Sequence, residues 1–327
     1  MNRLPFHYTL FTQLSYRLNF MHYLLCSFKY LSLLLYSISL LLMPTKALSF
    51  DSPTNTLSFS VIKTAESNGS PEALIVSGGS WFTVRNLVHT AVLIRHPKGD
   101  FLWDSGIGKE VKSQIEVLSL FESQVLSIKN VSPAREQLEE YGYPIQNLMA
   151  IIPSHMHWDH ASGLEDFENT PIWIQAESLL EAREGHPPGF IASQFDRQDL
   201  QWHNLKLQNN AFMGFNKSYD IYGDGSAVLV DLTGHTEGHL GLFISLENGK
   251  QYFFIGDATW ALKGVIENKP RPWIIDTLAG ADSNIKKSLK VVNKIHQLKK
   301  QKPELYIVPA HDEFQLQQLP NFPVFSE

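Results

Sequence analysis

From residue 48 onward the apolar positions fall into short runs, and most of these runs stop at a histidine or an aspartate. The stretch "LVHTAVLIRHPKGDFLWDSGIG" has one apolar run, a turn at Pro97-Lys98-Gly99-Asp100 and a second run ending at Asp104, which predicts a hairpin. "NLMAIIPSH" predicts a short buried strand whose end delivers His155, and "AVLVDLTGH" does the same for His235. In "LGLFISLENGKQYFFIGDA" two strands are joined by Asn248-Gly249 and deliver Asp257. "LYIVPAH" predicts a last strand that delivers His311.

Helical spacing is clear in two places. A helix is predicted from Ser132, with Pro133 at its first position and "AREQLEEYG" carrying it to a glycine stop. Residues 282–300 predict an amphipathic helix with Ile285, Leu289, Val292, Ile295 and Leu298 on one face and lysines elsewhere. The segment from Arg183 to Gly225 has no such regularity and is expected to be a helical or looped cover over a cleft.

The N-terminal stretch changes the picture of where the chain works. "FKYLSLLLYSISLLLMPTKALSF" has Lys29, an apolar stretch over residues 30–43 and then Thr45-Lys46-Ala47. A transmembrane helix needs about 20 apolar residues, so this shorter stretch suits the core of a secretory signal. Cleavage is expected near Ala47, giving an exported periplasmic or secreted protein; the alternative is a membrane anchor through residues 30–43. Met21 is an alternative start. Residues 48–327 show no linker or repeat and are expected to form one domain.

With 43% apolar and 18% charged residues the composition is that of an ordinary globular protein. Removing residues 1–47 takes away four basic and no acidic residues, leaving 23 basic against 33 acidic and a net charge of −10. Such a surface argues against general nucleic-acid binding. The only cysteine, Cys26, lies in the expected signal, so the mature monomer has no disulfide.

The chemistry gathers in "SHMHWDHASG", where three histidines and an aspartate occupy six positions. His155 and His157 are two apart, so on an extended strand end their rings point to one side and can share an ion. Asp159 and His160 turn away from that pair, which suits a second ion, and two neighbouring ions call for a bridging carboxylate.

"HMHWDH" resembles the His-x-His-x-Asp-His signature of the metallo-β-lactamase superfamily. "LWDSG", "GHTEGH", "IGDA" and "VPAHD" resemble its other motifs in the family's order, over roughly Phe59 to Glu313. The resemblance implies an α/β fold, a four-layer αββα sandwich, and a hydrolase acting through a metal-activated water. It implies His155, His157 and His235 as ligands of a first metal, Asp159, His160 and His311 of a second, and Asp257 as the bridge. Asp159 is also the expected catalytic residue, orienting the water, and Asp104 the partner that orients a ligand histidine. Two divalent ions are implied, zinc first, with iron or manganese accepted by the same ligands.

Within the superfamily, β-lactamases lack the bridging aspartate, nucleases add a basic domain and the redox branch adds a flavodoxin-like one. Hydrolysis of a lactone, ester or thioester is therefore expected, with a phosphodiesterase or a catalytically inactive metal-binding protein as alternatives. In the lactonase-like branch a tyrosine follows the bridging aspartate by three positions; here that position is Trp260. Trp81, Phe82, Met156, Trp158, Trp260 and Trp273 are candidates for an apolar pocket, Met156 and Trp158 foremost. His239 is kept out of the ligand set, and His89, His96, His186, His203 and His296 are read as structural or surface residues.

Overall fold

A computed structural model of the chain describes residues 56–326. The expected export signal, residues 1–47, with its apolar stretch 30–43, Met21 and Cys26, lies outside the described residues. Among the described residues no helix is long and apolar enough to cross a membrane.

The strands, in chain order, are β1 (Ser58–Ser67), β2 (Ser70–Pro71), β3 (Val84–Arg85), β4 (Val88–Arg95), β5 (Asp100–Trp103), β6 (Ile128–Lys129) and β7 (Leu148–Ile152). They continue with β8 (Ile172–Ile174), β9 (Trp202–Asn204), β10 (Ser218–Asp220), β11 (Ala227–Asp231), β12 (Leu240–Ser245), β13 (Gln251–Phe254) and β14 (Tyr306–Val308). One sheet has the order β6-β1-β4-β5-β7-β8-β9, the other β10-β11-β12-β13-β14, and β2 pairs with β3 as a small ribbon.

Strand alternation explains how these sheets stack. Val92 and Ile94 of β4, Phe101 and Trp103 of β5, and Ala150 and Ile152 of β7 join one core with Leu229, Leu242, Phe254 and Val308 of the second sheet. The residues between them face outward: Leu93, Leu102 and Ile151 pack with Ala134, Leu138 and Ala182 of the helices Ala134–Glu140 and Ala176–Glu184. On the far side Val228, Val230, Phe243, Phe253 and Ile307 pack against Ile295 and Leu298 of the helix Ile285–Gln301. Both faces of each sheet are thus covered, which is why the strands read as continuous apolar runs. The result is the expected four-layer αββα sandwich.

The predicted elements appear with small differences. The hairpin is β4–β5, and its strands pair antiparallel. The first helix begins at Ala134, with Pro133 extended just before it. In Ile285–Gln301 the expected apolar face holds only in its later part: Val292, Ile295 and Leu298 are buried, whereas Ile285 and Leu289 are exposed and Ser288 is buried. The start of this helix packs its backbone against Gly234, where a β-carbon would come within 2.5 Å of Ser288 N, so a small side chain faces inward there.

The segment 183–225 is more ordered than expected, since it contributes β9 and β10 to the two sheets. Near its start Pro188 and Gly189 do border a cavity at the strand ends, but most of that cavity's wall comes from elsewhere.

A half-buried carboxyl gives the fold a testable pH response. Asp166 Oδ2 accepts a hydrogen bond from Lys109 N at 3.1 Å. Burial, with added repulsion from Glu165, Glu136 and Glu110, raises its pKa from 3.8 to about 6. The folded state therefore favours the protonated acid, and the stability gained is present below pH 3.8 and lost as pH rises through about 6. Asp166→Asn keeps an acceptor for Lys109 without the charge. Its melting temperature relative to the parent should rise from pH 4 to pH 8; parallel pH profiles for the two proteins would refute this.

Candidate metal centre

The site lies where the strands end. After Trp103 comes Asp104, after Ile152 come His155 to His160, after Asp231 His235, after Phe254 Asp257, and after Val308 His311. The pairs β5–β7 and β13–β14 are parallel, so their carboxyl ends open on the same side of their sheets. Asp104 at φ 56° and Gly256 at φ 49° carry left-handed backbone there. At Gly256 a β-carbon would meet His239 Nε2 at 2.5 Å, so glycine is required on both counts.

His155, His157 and His235 form one cluster, with ring centroids 4.5–4.7 Å apart. His155 Nδ1 lies 3.0 Å from Ser154 Oγ, and His235 Nδ1 lies 3.0 Å from Asp282 Oδ1. Their Nε2 atoms face one another at 3.1 Å. With each Nδ1 proton directed outward, two lone pairs point at the same spot, an arrangement that is repulsive by itself and attractive around a cation.

The second cluster repeats this pattern. His160 Nδ1 lies 3.0 Å from Asp104 Oδ2, and His311 Nδ1 lies 2.8 Å from the Val88 carbonyl. Their Nε2 atoms are 3.3 Å apart. Asp159 Oδ2 lies 3.3 Å from His311 Nε2 and 3.8 Å from His160 Nε2. Asp257 reaches both clusters: Oδ1 lies 3.0 Å from His311 Nε2 and 3.3 Å from His160 Nε2, and Oδ2 lies 3.6 Å from His235 Nε2. Asp257 Oδ1 makes no well-formed hydrogen bond although it is buried. This donor set of imidazole nitrogens and carboxylates fits divalent metal, and three groups are close enough to hold an ion: His155, His157 and His235; His89, Asp159 and His311; and His155, His160 and Asp257.

The electrostatics agree. Burial pushes the pKa values of His155 and His235 well down and that of His157 to about 4, so these rings are neutral. Burial opposes charge on His160 and His311 too, but Asp104, Asp159 and Asp257 outweigh it at His160, and Asp257 and Asp159 outweigh it at His311, raising both pKa values. Burial alone would raise Asp159 and Asp257, yet the surrounding imidazoles hold both carboxyls below their ordinary value. The second cluster is thus a place where positive charge is favoured, whether a proton or a metal supplies it.

The structure brings all seven expected ligands together and places Asp104 against His160. Asp104 Oδ1 also accepts from Ser154 N at 2.6 Å, which fixes the start of the histidine loop. His239 stands behind Asp257, its Nε2 accepting from Asp257 N at 3.3 Å. Several parts of the site are not apparent in the sequence. His89 is no remote structural residue: it is buried, its Nδ1 lies 3.0 Å from Asp159 Oδ2, and it lines the cavity. Its one signal is a histidine interrupting an apolar strand. Asp282 and Arg271 had none, because 47 and 36 residues separate them from His235. Arg271 donates to the Asp257 carbonyl and lies 2.8 Å from Asp282 Oδ1.

A cavity of about 190 Å³ opens on the clusters, bordered by His89, His157, Asp159, His235, Asp257 and His311. Its remaining wall is mainly apolar, with Leu74, Ile75, Leu87, Leu126, Ile128 and Ile275 among the lining residues. Of the expected aromatics Trp158 and Trp260 line it. Met156 instead turns into the core between sheet and helices, since alternation beside two inward histidines sends it the other way. Trp81, Phe82 and Trp273 are exposed to solvent and are not part of this wall. Trp260 both packs and donates: its Nε1 lies 2.8 Å from Asp257 Oδ2, and the Arg271 guanidinium sits 5.0 Å from the ring centroid.

Residues 84–311 match the sequence model of the metallo-beta-lactamase superfamily. The chain belongs to that superfamily. Among similar superfamily proteins is the N-acyl homoserine lactonase AttM of Rhizobium radiobacter, 27% identical over 133 residues, which are 39% of this chain and 47% of that protein. The chain thus spans about half the length of that relative. The N-acyl homoserine lactonase of Bacillus cereus is 26% identical over 246 residues, 72% of this chain and 87% of that protein.

Among solved structures, an N-acyl homoserine lactone hydrolase with the product N-hexanoyl-L-homoserine at its catalytic metal centre superposes with a TM-score of 0.64 at 20% identity, covering 84% of this chain and 100% of that one. AidC, a dizinc quorum-quenching lactonase, does so with a TM-score of 0.53 at 14% identity, covering 82% and 89%. These likenesses establish the fold.

Proposed function

We propose that the protein is a two-metal lactonase that opens the ring of a lactone carrying an apolar acyl chain, with N-acyl homoserine lactones as the substrate class. The observation that carries this reading is the largely apolar cavity that ends on the two ligand clusters. An acyl chain of several carbons would bury its surface there at about 25 cal/mol per Å², with the scissile carbonyl left at the polar end. The names of the similar lactonases point to the same class.

In this reading His155, His157 and His235 would hold one ion and Asp159, His160 and His311 the other, with Asp257, which reaches both clusters, as a shared ligand. Divalent metal, zinc first, would supply there a water acidified towards neutrality and polarisation of the carbonyl. Asp159, whose Oδ2 lies 3.3 Å from His311 Nε2, would orient that water. Trp260 holds Asp257 Oδ2 by its indole N–H, leaving Oδ1 turned to His160 and His311. The apolar wall excludes bulk water from the acyl chain. Residues 1–47 serve as the export signal and residues 48–327 as the hydrolase domain, which places the enzyme in the periplasm or outside the cell. Sequencing the mature N-terminus checks the last point.

For the activity, the purified metal-loaded protein is incubated with N-acyl homoserine lactones, simple esters, thioesters and phosphodiesters. Ring-opened N-acyl homoserine as the main product, absent after chelation, is the expected result. Turnover confined to phosphodiesters or thioesters would overturn the substrate class.

A further inference from the structure

His89 touches both the reaction centre and the cavity, and the lactonase reading, on which this inference rests, gives it no task. It interrupts the apolar strand β4 and is buried. Its ring is held between His311, at 5.1 Å between centroids, and Trp158, at 5.7 Å. Nδ1 lies 3.0 Å from Asp159 Oδ2. A carboxylate only accepts, so Nδ1 carries the hydrogen. In the neutral ring the remaining nitrogen, Nε2, then presents a lone pair. Nε2 makes no hydrogen bond among the described residues, and it is absent from the buried polar atoms sealed away without a partner, while the side chain borders the cavity. The lone pair therefore has access to whatever enters.

The geometry points to His89 Nε2 as a substrate-reading acceptor, for a hydrogen-bond donor that the substrate carries next to its scissile carbonyl, of the amide N–H class. The position follows from the ring: Nε2 is one imidazole width from the nitrogen that touches Asp159, so the group it meets lies beside the reacting carbonyl and not at the far end of the acyl chain. The chemistry follows from its surroundings. A lone acceptor on a mainly apolar wall rewards a donor and disfavours an isostere that leaves it unpaired.

The test compares an N-acylated amino-lactone with the analogue in which a methylene replaces the N–H. His89→Asn keeps an N–H donor where Nδ1 stood and removes the Nε2 acceptor, while His89→Gln places an amide at the Nε2 end. The parent enzyme should prefer the amide about tenfold in kcat/KM. In His89→Asn that ratio should fall to near one, mainly through KM for the amide, with metal content retained; in His89→Gln part of the ratio should survive. An equal fall for both compounds, or an unchanged ratio in His89→Asn, overturns the assignment and leaves His89 as a support for Asp159. Binding of the two compounds by calorimetry reads the same preference without turnover. If the parent opens neither lactone, the lactonase reading fails, and equal binding of the two compounds by parent and His89→Asn then overturns the role of His89 separately.

Discussion

Replacing Asp257 with alanine is expected to lower turnover by roughly three orders of magnitude and to reduce bound metal from two equivalents towards one. The side chain is the element common to both clusters, with Oδ1 within 3.3 Å of the second and Oδ2 within 3.6 Å of the first. Its removal takes a negative charge from among neutral and cationic imidazoles and leaves the Trp260 indole N–H without its acceptor. Asp257→Asn is the sharper comparison. It keeps the size of the side chain and an oxygen, so a loss of similar scale would assign the effect to charge and bridging geometry and not to a cavity. Elemental analysis of each variant beside its kcat checks the pairing of the two losses; an alanine variant with full metal and near-parental rate would contradict it.

The second large effect is expected at a residue outside the ligand set. Asp282 lies 3.0 Å from His235 Nδ1 and 2.8 Å from the Arg271 guanidinium, and accepts from Ser288 Oγ at 3.2 Å. It thereby fixes the His235 tautomer that leaves Nε2 free for metal, and it neutralises a buried arginine. Asp282→Ala should weaken metal binding by about 10–100-fold. It should also cost about 3–5 kcal/mol of stability, because Arg271 stays buried without its carboxylate. Burial raises the pKa of Asp282, but Arg271 and His235 outweigh it and hold the value at about 2. The stabilisation is therefore present above pH 3.8 and lost as pH falls through about 2, so the destabilisation should be the same at any neutral or mildly acidic pH. Calorimetry and competition with a chromophoric chelator measure the two effects. Parental metal affinity in Asp282→Ala would show that His235 needs no such partner.

These two residues mark where sequence reading succeeds and where it stops. The histidines and aspartates that end strands were legible because an apolar run followed by a ligand type is a local pattern, and β7, β11, β13 and β14 each end that way. The layers were legible for a similar reason, since strands apolar on both faces must be covered on both. Asp282, Arg271 and His89 become functional only through contacts between distant segments, and none has a partner at a telling spacing. Met156 shows the opposite error: alternation with two ligands suggested the cavity, but the same alternation turns it into the core. The segment 183–225 read as a cover because short strands broken by polar residues have no clear period, and its pairing partners in both sheets are remote. Trp260 was recognised as a departure at its position, though its bond to Asp257 needed the fold.

The proposed activity is that of a hydrolase working with two metals. The most direct measurement strips the purified protein with a chelator, returns zinc in fractions of an equivalent, and follows hydrolysis of an N-acyl homoserine lactone at each step. Activity is expected to rise to a plateau at two equivalents per chain, with the ring-opened acid as product. A plateau at one equivalent, or two equivalents bound with no ring opening, would contradict it.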